Sequence, residues 1–277
     1  MTALTGATRL DTADTSRIVQ LSDTHLMASQ GGTLLGLDTD RSLAAVCRLV
    51  ASLAPIDALL LTGDLAGDEA DSAYQRLDLA VSSLGVPCFW LPGNHDAVWS
   101  EGHALSRYFK RSIHLPHWDV LMLNTQHSGA VAGYLDAGEL EALQLAIAQA
   151  ETTHRPLLVA THHPLLPVGS KWLDDIGVQN AAEALELLAV LGDRAVVVSG
   201  HVHQESAQVY RDVNCLTSPS TCVQFAPGSA EFQVDALAPG CRELTLNAGG
   251  LWETAVRRVS DEKFSVDLNS PGYAKAL

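Results

Sequence analysis

The residues with chemistry to offer fall in five short stretches. "SDTHL" carries Asp23 and His25, and "TGDLAGD" carries Asp64. "PGNHD" carries Asn94, His95 and Asp96, "THHPL" carries His162 and His163, and "SGHVH" carries His201 and His203. Carboxylate, imidazole and amide oxygen are N/O donors that suit Mn, Fe, Zn or Co rather than a thiolate-bound metal. Asp23 and His25 stand two apart, as do His201 and His203, so on an extended segment each pair faces one way. Such donors exceed what one tetrahedral ion takes. They suit two six-coordinate ions if one carboxylate is shared, and Asp64, on the second stretch, is the natural bridge.

The charges agree with that arithmetic. Two divalent ions, two carboxylates and one hydroxide sum to about +1, the complement of a singly charged phosphodiester. An Asp in place of Asn94 would cancel that charge, which gives a physical reason for an amide there.

Apolar runs and amphipathic segments must bring these stretches together. "RIVQLSD", "DALLLTGD", "PCFWLPG", "DVLMLNT", "PLLVATHH" and "AVVVSGH" read as strands. "DRSLAAVCRLVASL", "EADSAYQRLDLAVSSLG", "LDAGELEALQLAIAQA" and "NAAEALELLAVLG" read as helices between them. Asp136 and Glu139 have capping-box spacing at the third. This alternation predicts a layered α/β fold. The polar stretches follow strands, and ligands of open α/β sheets bind beyond the carboxyl ends of strands. After His203 the segments become short and β-like, and "NAGG" at Asn247–Gly250 reads as a hairpin turn, so antiparallel strands are expected at the C-terminal end. The domain is expected over residues 17–265, with loosely held tails at 1–16 and 266–277.

Composition narrows the class. The chain has 277 residues, is 47% hydrophobic and carries a formal charge of −15. That length suffices for a full core. The acidic balance and the lack of a Lys/Arg cluster argue against a nucleic-acid partner. No apolar run approaches the roughly 20 residues that span a bilayer. The polar N-terminus has no apolar leader segment, so a cytoplasmic protein is expected. The five cysteines form no CxxC pair and read as buried, reduced thiols.

At these residues the chain resembles the calcineurin-like metallophosphoesterases, whose blocks D-x-H, G-D, G-N-H-D/E, H and G-H-x-H are all present in that order. The resemblance implies a four-layer α/β/β/α sandwich around two metal ions. It implies that Asp23, His25, Asp64 and His203 hold one ion and that Asp64, Asn94, His162 and His201 hold the other. His162 is preferred because the family ligand precedes x-Pro, with His163 as a possible substitute. His95 resembles the family's non-ligand histidine, which contacts phosphate and protonates the leaving oxygen. Asp96 would orient it.

"LLGLDTDRS", "SKWLDDIGVQNA", "SPSTCVQFAP" and "DALAPGCRELTL" narrow the likeness to bacterial class III 3′,5′-cyclic AMP phosphodiesterases. Purple acid phosphatases have a Tyr at the position of Gly67, and calcineurin-type protein phosphatases an Arg at that of Pro92. The implied reaction is hydrolysis of 3′,5′-cyclic AMP to 5′-AMP by a hydroxide bridging two ions, Fe with Mn as first choice and Mn/Mn or Zn as options. His25, Asp64, Asn94, His95 and His203 would touch the substrate. A small-molecule substrate is implied, with no nucleic acid or membrane and no fixed oligomeric state. Alternatives are a broader diesterase for glycerophosphodiesters or 2′,3′-cyclic nucleotides, and an inactive scaffold. Asp38 and Arg41 either contact ligand or cap the helix near Asp40, with capping preferred. Trp172 and Phe225 either stack a base or pack.

Overall fold

The computed structural model describes residues 6–10, 14–53, 55–98 and 104–272. In chain order come β1 (Ala7–Arg9), β2 (Ser16–Leu21), β3 (Thr33–Leu34), β4 (Leu37–Asp38), α1 (Thr39–Ser52), β5 (Ala58–Thr62), α2 (Asp71–Ser82) and β6 (Cys88–Leu91). They are followed by β7 (Ser112–His114), β8 (Asp119–Met122), α3 (Ala137–Thr153), β9 (Leu157–Ala160), α4 (Lys171–Asp174), α5 (Ala181–Leu188) and β10 (Ala195–Ser199). The chain ends with β11 (Ser206–Tyr210), β12 (Val213–Thr217), β13 (Gln224–Phe225), β14 (Val234–Asp235), β15 (Gly240–Leu246) and β16 (Trp252–Arg258).

Two sheets carry the fold. One runs β1-β7-β8-β9-β10-β12-β11 and the other β16-β15-β2-β5-β6. Alternation along the strands shows why they stack. Val120 and Met122 of β8, Leu158 and Ala160 of β9, and Val196 and Val198 of β10 join the core shared with the five-stranded sheet. Their neighbours Leu121, Leu157, Val159, Ala195 and Val197 point the other way, into a second core under α3 and α5. A strand buried on both faces has no polar face to show, hence the unbroken apolar runs in the sequence. Helices α1 and α2 cover the five-stranded sheet, giving an α/β/β/α sandwich. Each fully buried Leu or Val contributes about 1.5–3 kcal/mol.

Local signals explain the helix ends. Asp38 caps α1, its carboxylate accepting from the Arg41 N–H at 2.9 Å. Capping is therefore its task. Asp136 caps α3 through the Glu139 N–H at 3.0 Å, but Glu139 turns its own carboxylate to Arg111 and to the Asn124 N–H, so half of the expected box forms.

Of the C-terminal strands, β13 and β14 pair only with each other, antiparallel, and the other four join the two main sheets. β12 pairs parallel with β10 and antiparallel with β11, while β15 lies antiparallel beside β2 and turns into β16 through Gly249 and Gly250, both at positive φ. Ala7–Arg9 pairs with Ser112–His114, and the Asp267 N–H donates to Leu35 O at 2.8 Å, so both segments are tied to the fold by backbone pairing. Residues 1–5, 11–13 and 273–277 of those segments lie outside the described residues.

Candidate metal centre

Strands β2, β5, β6, β9 and β10 end at one edge, and all nine predicted site residues lie there. The loops that follow them are bonded to one another. The Asp23 N–H donates to Gly63 O at 3.0 Å, His25 N–H to Asp64 O at 2.9 Å, and Gly200 N–H to His162 O at 2.9 Å. Across the two sheets, the His201 N–H lies 3.0 Å from both oxygens of Asp23.

The backbone is strained where the donors sit. Asp23 (φ 56°), His25 (φ 44°), Asp64 (φ 50°), His201 (φ 68°) and His203 (φ 49°) all occupy the left-handed region. Such a conformation costs on the order of 1–3 kcal/mol per residue and gathers at functional sites. Two glycines permit the closeness. A Cβ on Gly93 would land on Asp64 Oδ1 and 2.7 Å from His162 Nε2, and one on Gly200 would strike Ser22 and Asp23.

The donors form two adjoining cages. Asp23, His25 and His203 each offer a ligand atom within 4.8 Å of the others, and so do Asp23, Asp64 and His162. His25 Nε2 and His203 Nε2 stand 3.2 Å apart, with His203 Nε2 3.4 Å from Asp23 Oδ1. On the other side His162 Nε2 lies 3.1 Å from Asn94 Oδ1 and 3.3 Å from Asp64 Oδ1. Asp64 turns its second oxygen to His25 Nε2, at 3.7 Å, so its two oxygens face the two cages.

The imidazoles are prepared as ligands. His162 Nδ1 donates to Thr62 O at 2.7 Å and His203 Nδ1 to Val223 O at 2.8 Å, which leaves each Nε2 lone pair facing the cages. His201 Nε2 is buried without a hydrogen-bond partner, a donor atom that a cation would satisfy. His163 differs. Its Nε2 donates to Val131 O at 3.0 Å and its Nδ1 pairs with Thr125 Oγ1 at 2.8 Å, so both ring nitrogens are engaged, although it clusters with His162 and His201. The donor set fits two N/O-liganded divalent ions.

Burial sets the electrostatics. It lowers His25 to about 3 against the pull of Asp64, and carries His201 well below the usual range. Burial also opposes ionisation of Asp64, but His162, His95 and His25 outweigh it and hold that carboxyl well below its ordinary value. His162, which burial alone would lower, is lifted to about 9 by Asp64, the carboxylate 3.3 Å from its Nε2.

Asn94 and His95 are the partly exposed members, while Asp23, His25, Asp64, His162, His201 and His203 are buried. Access to the cages therefore runs past Asn94 and His95. The His95 N–H donates to Asp64 Oδ1 at 2.9 Å, and its ring sits edge-on to His25 at 5.1 Å. Asp96 holds backbone groups and one hydroxyl. Its oxygens accept from the Gly93 N–H at 2.9 Å, the Leu65 and Ala66 N–H groups, and the Tyr74 hydroxyl at 2.9 Å. The residue expected to steady the His95 ring thus pins the two loops on which Asp64 and Asn94 ride.

Sequence reasoning missed Tyr74, whose place inside an amphipathic helix gives no sign of a site, and Gln126. The Gln126 amide donates to Gly93 O at 2.9 Å and to Asp96 O at 2.6 Å. The "NTQ" after β8 is the same polar punctuation seen after the other strands, and would have marked it. Phe225 is buried and stacked on His203, so it packs and does not offer a face to a base.

Adjoining cages of carboxylate and imidazole at the strand ends of an α/β/β/α sandwich define a potential dinuclear metallohydrolase. The chain belongs to the calcineurin-like phosphoesterase family, which its residues 16–205 match. It is 41% identical over 259 residues to a 3′,5′-cyclic adenosine monophosphate phosphodiesterase of Pseudomonas aeruginosa, covering 92% of this chain and 94% of that protein. It is 36% identical over 246 residues to a 3′,5′-cyclic-nucleotide phosphodiesterase of Nostoc sp., covering 87% and 92%. A dimetal phosphatase from Danio rerio superposes with a TM-score of 0.62 at 12% identity, over 88% of this chain and 99% of that one, a likeness of fold.

Proposed function

We propose that the protein hydrolyses 3′,5′-cyclic AMP to 5′-AMP at this centre. The observation that carries the reading is the 41% identity to a cyclic AMP phosphodiesterase over 92% of the chain, well past the metal motifs. Asp23, His25, Asp64 and His203 would hold one ion, and Asp64, Asn94, His162 and His201 the other, with iron and manganese as the first choice. Two divalent ions supply Lewis-acid pull on phosphoryl oxygen and make water nucleophilic near neutral pH.

The chain's own residues do the rest. His25, Asp64, Asn94, His95 and His203 would line the phosphate, which enters at the partly exposed Asn94–His95 rim. There His95 donates a proton to the 3′ oxygen as its bond to phosphorus breaks, while water forms the new P–O bond and releases a proton to solvent, from which His95 is reprotonated. The Asp96 carboxylate keeps the loops of Asp64 and Asn94 in register. The net charge of −15 disfavours nucleic acid as substrate.

The test is steady-state kinetics on cyclic AMP, cyclic GMP, a 2′,3′-cyclic nucleotide, a glycerophosphodiester and bis(p-nitrophenyl) phosphate. Cyclic AMP should give the highest kcat/KM, with activity lost to a chelator and restored by manganese. A preference for the linear or 2′,3′-cyclic esters would make this a broader diesterase. Turnover indifferent to chelation would sink the metal reading.

A further inference from the structure

The stretch "SPSTCVQF", residues 218–225, holds no proposed ligand, yet it is wrapped around the back of one cage. The Ser220 hydroxyl donates to Asp23 O at 2.7 Å, and the Thr221 N–H donates to Ser22 O at 3.0 Å. The segment is tied to itself by the Cys222 N–H on Ser220 Oγ at 2.8 Å, and by the Gln224 amide on Ser220 O and Cys222 O at 2.8 and 3.1 Å. Its far end grips His203 three ways. Val223 O accepts from Nδ1, the Phe225 N–H lies 3.4 Å from His203 O, and the Phe225 ring lies on the imidazole at 4.3 Å between centroids and 16° between planes.

The carbonyl of Val223 fixes which nitrogen carries the proton but, as a single contact, still lets the ring librate about its Cβ–Cγ bond. A flat face on the imidazole removes that freedom. We propose that Phe225 is a positioning residue, whose ring fixes the plane of His203 so that Nε2 stays aimed at the pocket shared with Asp23 and His25. Phe225 is itself locked from behind by Trp172 at 5.1 Å and Phe232 at 5.4 Å, both edge-on. The inference rests on the dinuclear reading given above.

The test uses metal-free full-length protein titrated with Mn²⁺ by calorimetry, with thermal unfolding measured alongside. Phe225→Leu keeps an apolar side chain and loses the flat face, and Phe225→Met is a second variant should the first not fold. Trp172→Leu removes a ring from the same cluster without touching His203. The expected result is that wild type binds two ions, and that the Phe225 variants bind one of them about 10–100-fold more weakly while the other is unchanged. Trp172→Leu should lose comparable stability with both affinities intact. Wild-type affinities in the Phe225 variants, or an equal loss in Trp172→Leu, would overturn the inference. A wild type that took up fewer than two ions would sink the dinuclear reading, and this inference with it.

Discussion

The two halves of the centre are braced differently. The Asp64–Asn94–His162 half is held by its own loops. Asp96 gathers the Gly93, Leu65 and Ala66 N–H groups, Gln126 ties down the turn after β6, and Thr62 O orients His162. The Asp23–His203 half is held by residues 218–225, a segment remote in sequence from Asp23. One half is tied together across separations of up to 100 residues, the other across 197, where a late part of the chain closes over an early one. Holding a donor and reacting with substrate are thus separable tasks, and variants can part them.

His95 gives the largest separation. Its N–H belongs to the first half through Asp64, and its ring leans on His25 of the second. His95→Ala should leave both ions in place and lower kcat by about 10²–10⁴-fold, the size of a lost acid–base contribution. Metal analysis and kinetics on one preparation check this. Loss of an ion along with turnover would move His95 into the cage, where its proximity to His25 and Asp64 also permits it to stand.

Much of this was legible in the sequence, for a physical reason. Strands buried on both faces spell unbroken apolar runs, so β2, β5, β9 and β10 announce themselves, and the polar stretch after each marks the ligand edge. The resemblance then assigned the donors to cages. Pairing was not legible. Nothing in "VNCLT" says that it lies parallel to β10, or in "GCRELTL" that it lies beside β2, because those partners are fixed by closure of the whole sandwich. Tyr74 looked like any residue on the apolar face of α2. "NCLTSPSTCVQF" looked like one β-like run, whereas it is a strand, a buried loop and a two-residue bridge strand. Asp96 shows the limit most clearly. Nothing beside it in sequence points to the backbone donors of two loops and the Tyr74 hydroxyl that it holds.

Asp96→Ala would break the local bracing alone. Three buried N–H groups and the Tyr74 hydroxyl lose their acceptor, and each buried unsatisfied donor costs about 1–3 kcal/mol. Relaxation and entering water would reduce the sum to about 3 kcal/mol, or roughly 6–12 °C in Tm at 2–4 °C per kcal/mol. Calorimetric unfolding checks the size. Mn²⁺ titration checks the asymmetry, since the ion proposed for Asp64, Asn94 and His162 should weaken more than the one proposed near His203. Equal weakening at both would mean that the halves are braced as one.

Asn94 offers the smallest and most selective change. It is the amide donor of its half, it is partly exposed, and its amide oxygen sits 3.1 Å from His162 Nε2. Asn94→Asp keeps the oxygen and adds a charge at the rim where substrate enters. Solvent at the rim screens that charge, so the effect is modest. Both ions should remain bound, and kcat/KM on a singly charged diester should fall about tenfold, equivalent to about 1.4 kcal/mol. Salt should shrink the difference, because repulsion between the new carboxylate and the incoming anion is its cause. A variant that kept both metals and full activity at low salt would show that charge balance is not why an amide stands there, and only the geometry of the turn would then separate Asn94 from the carboxylates around it.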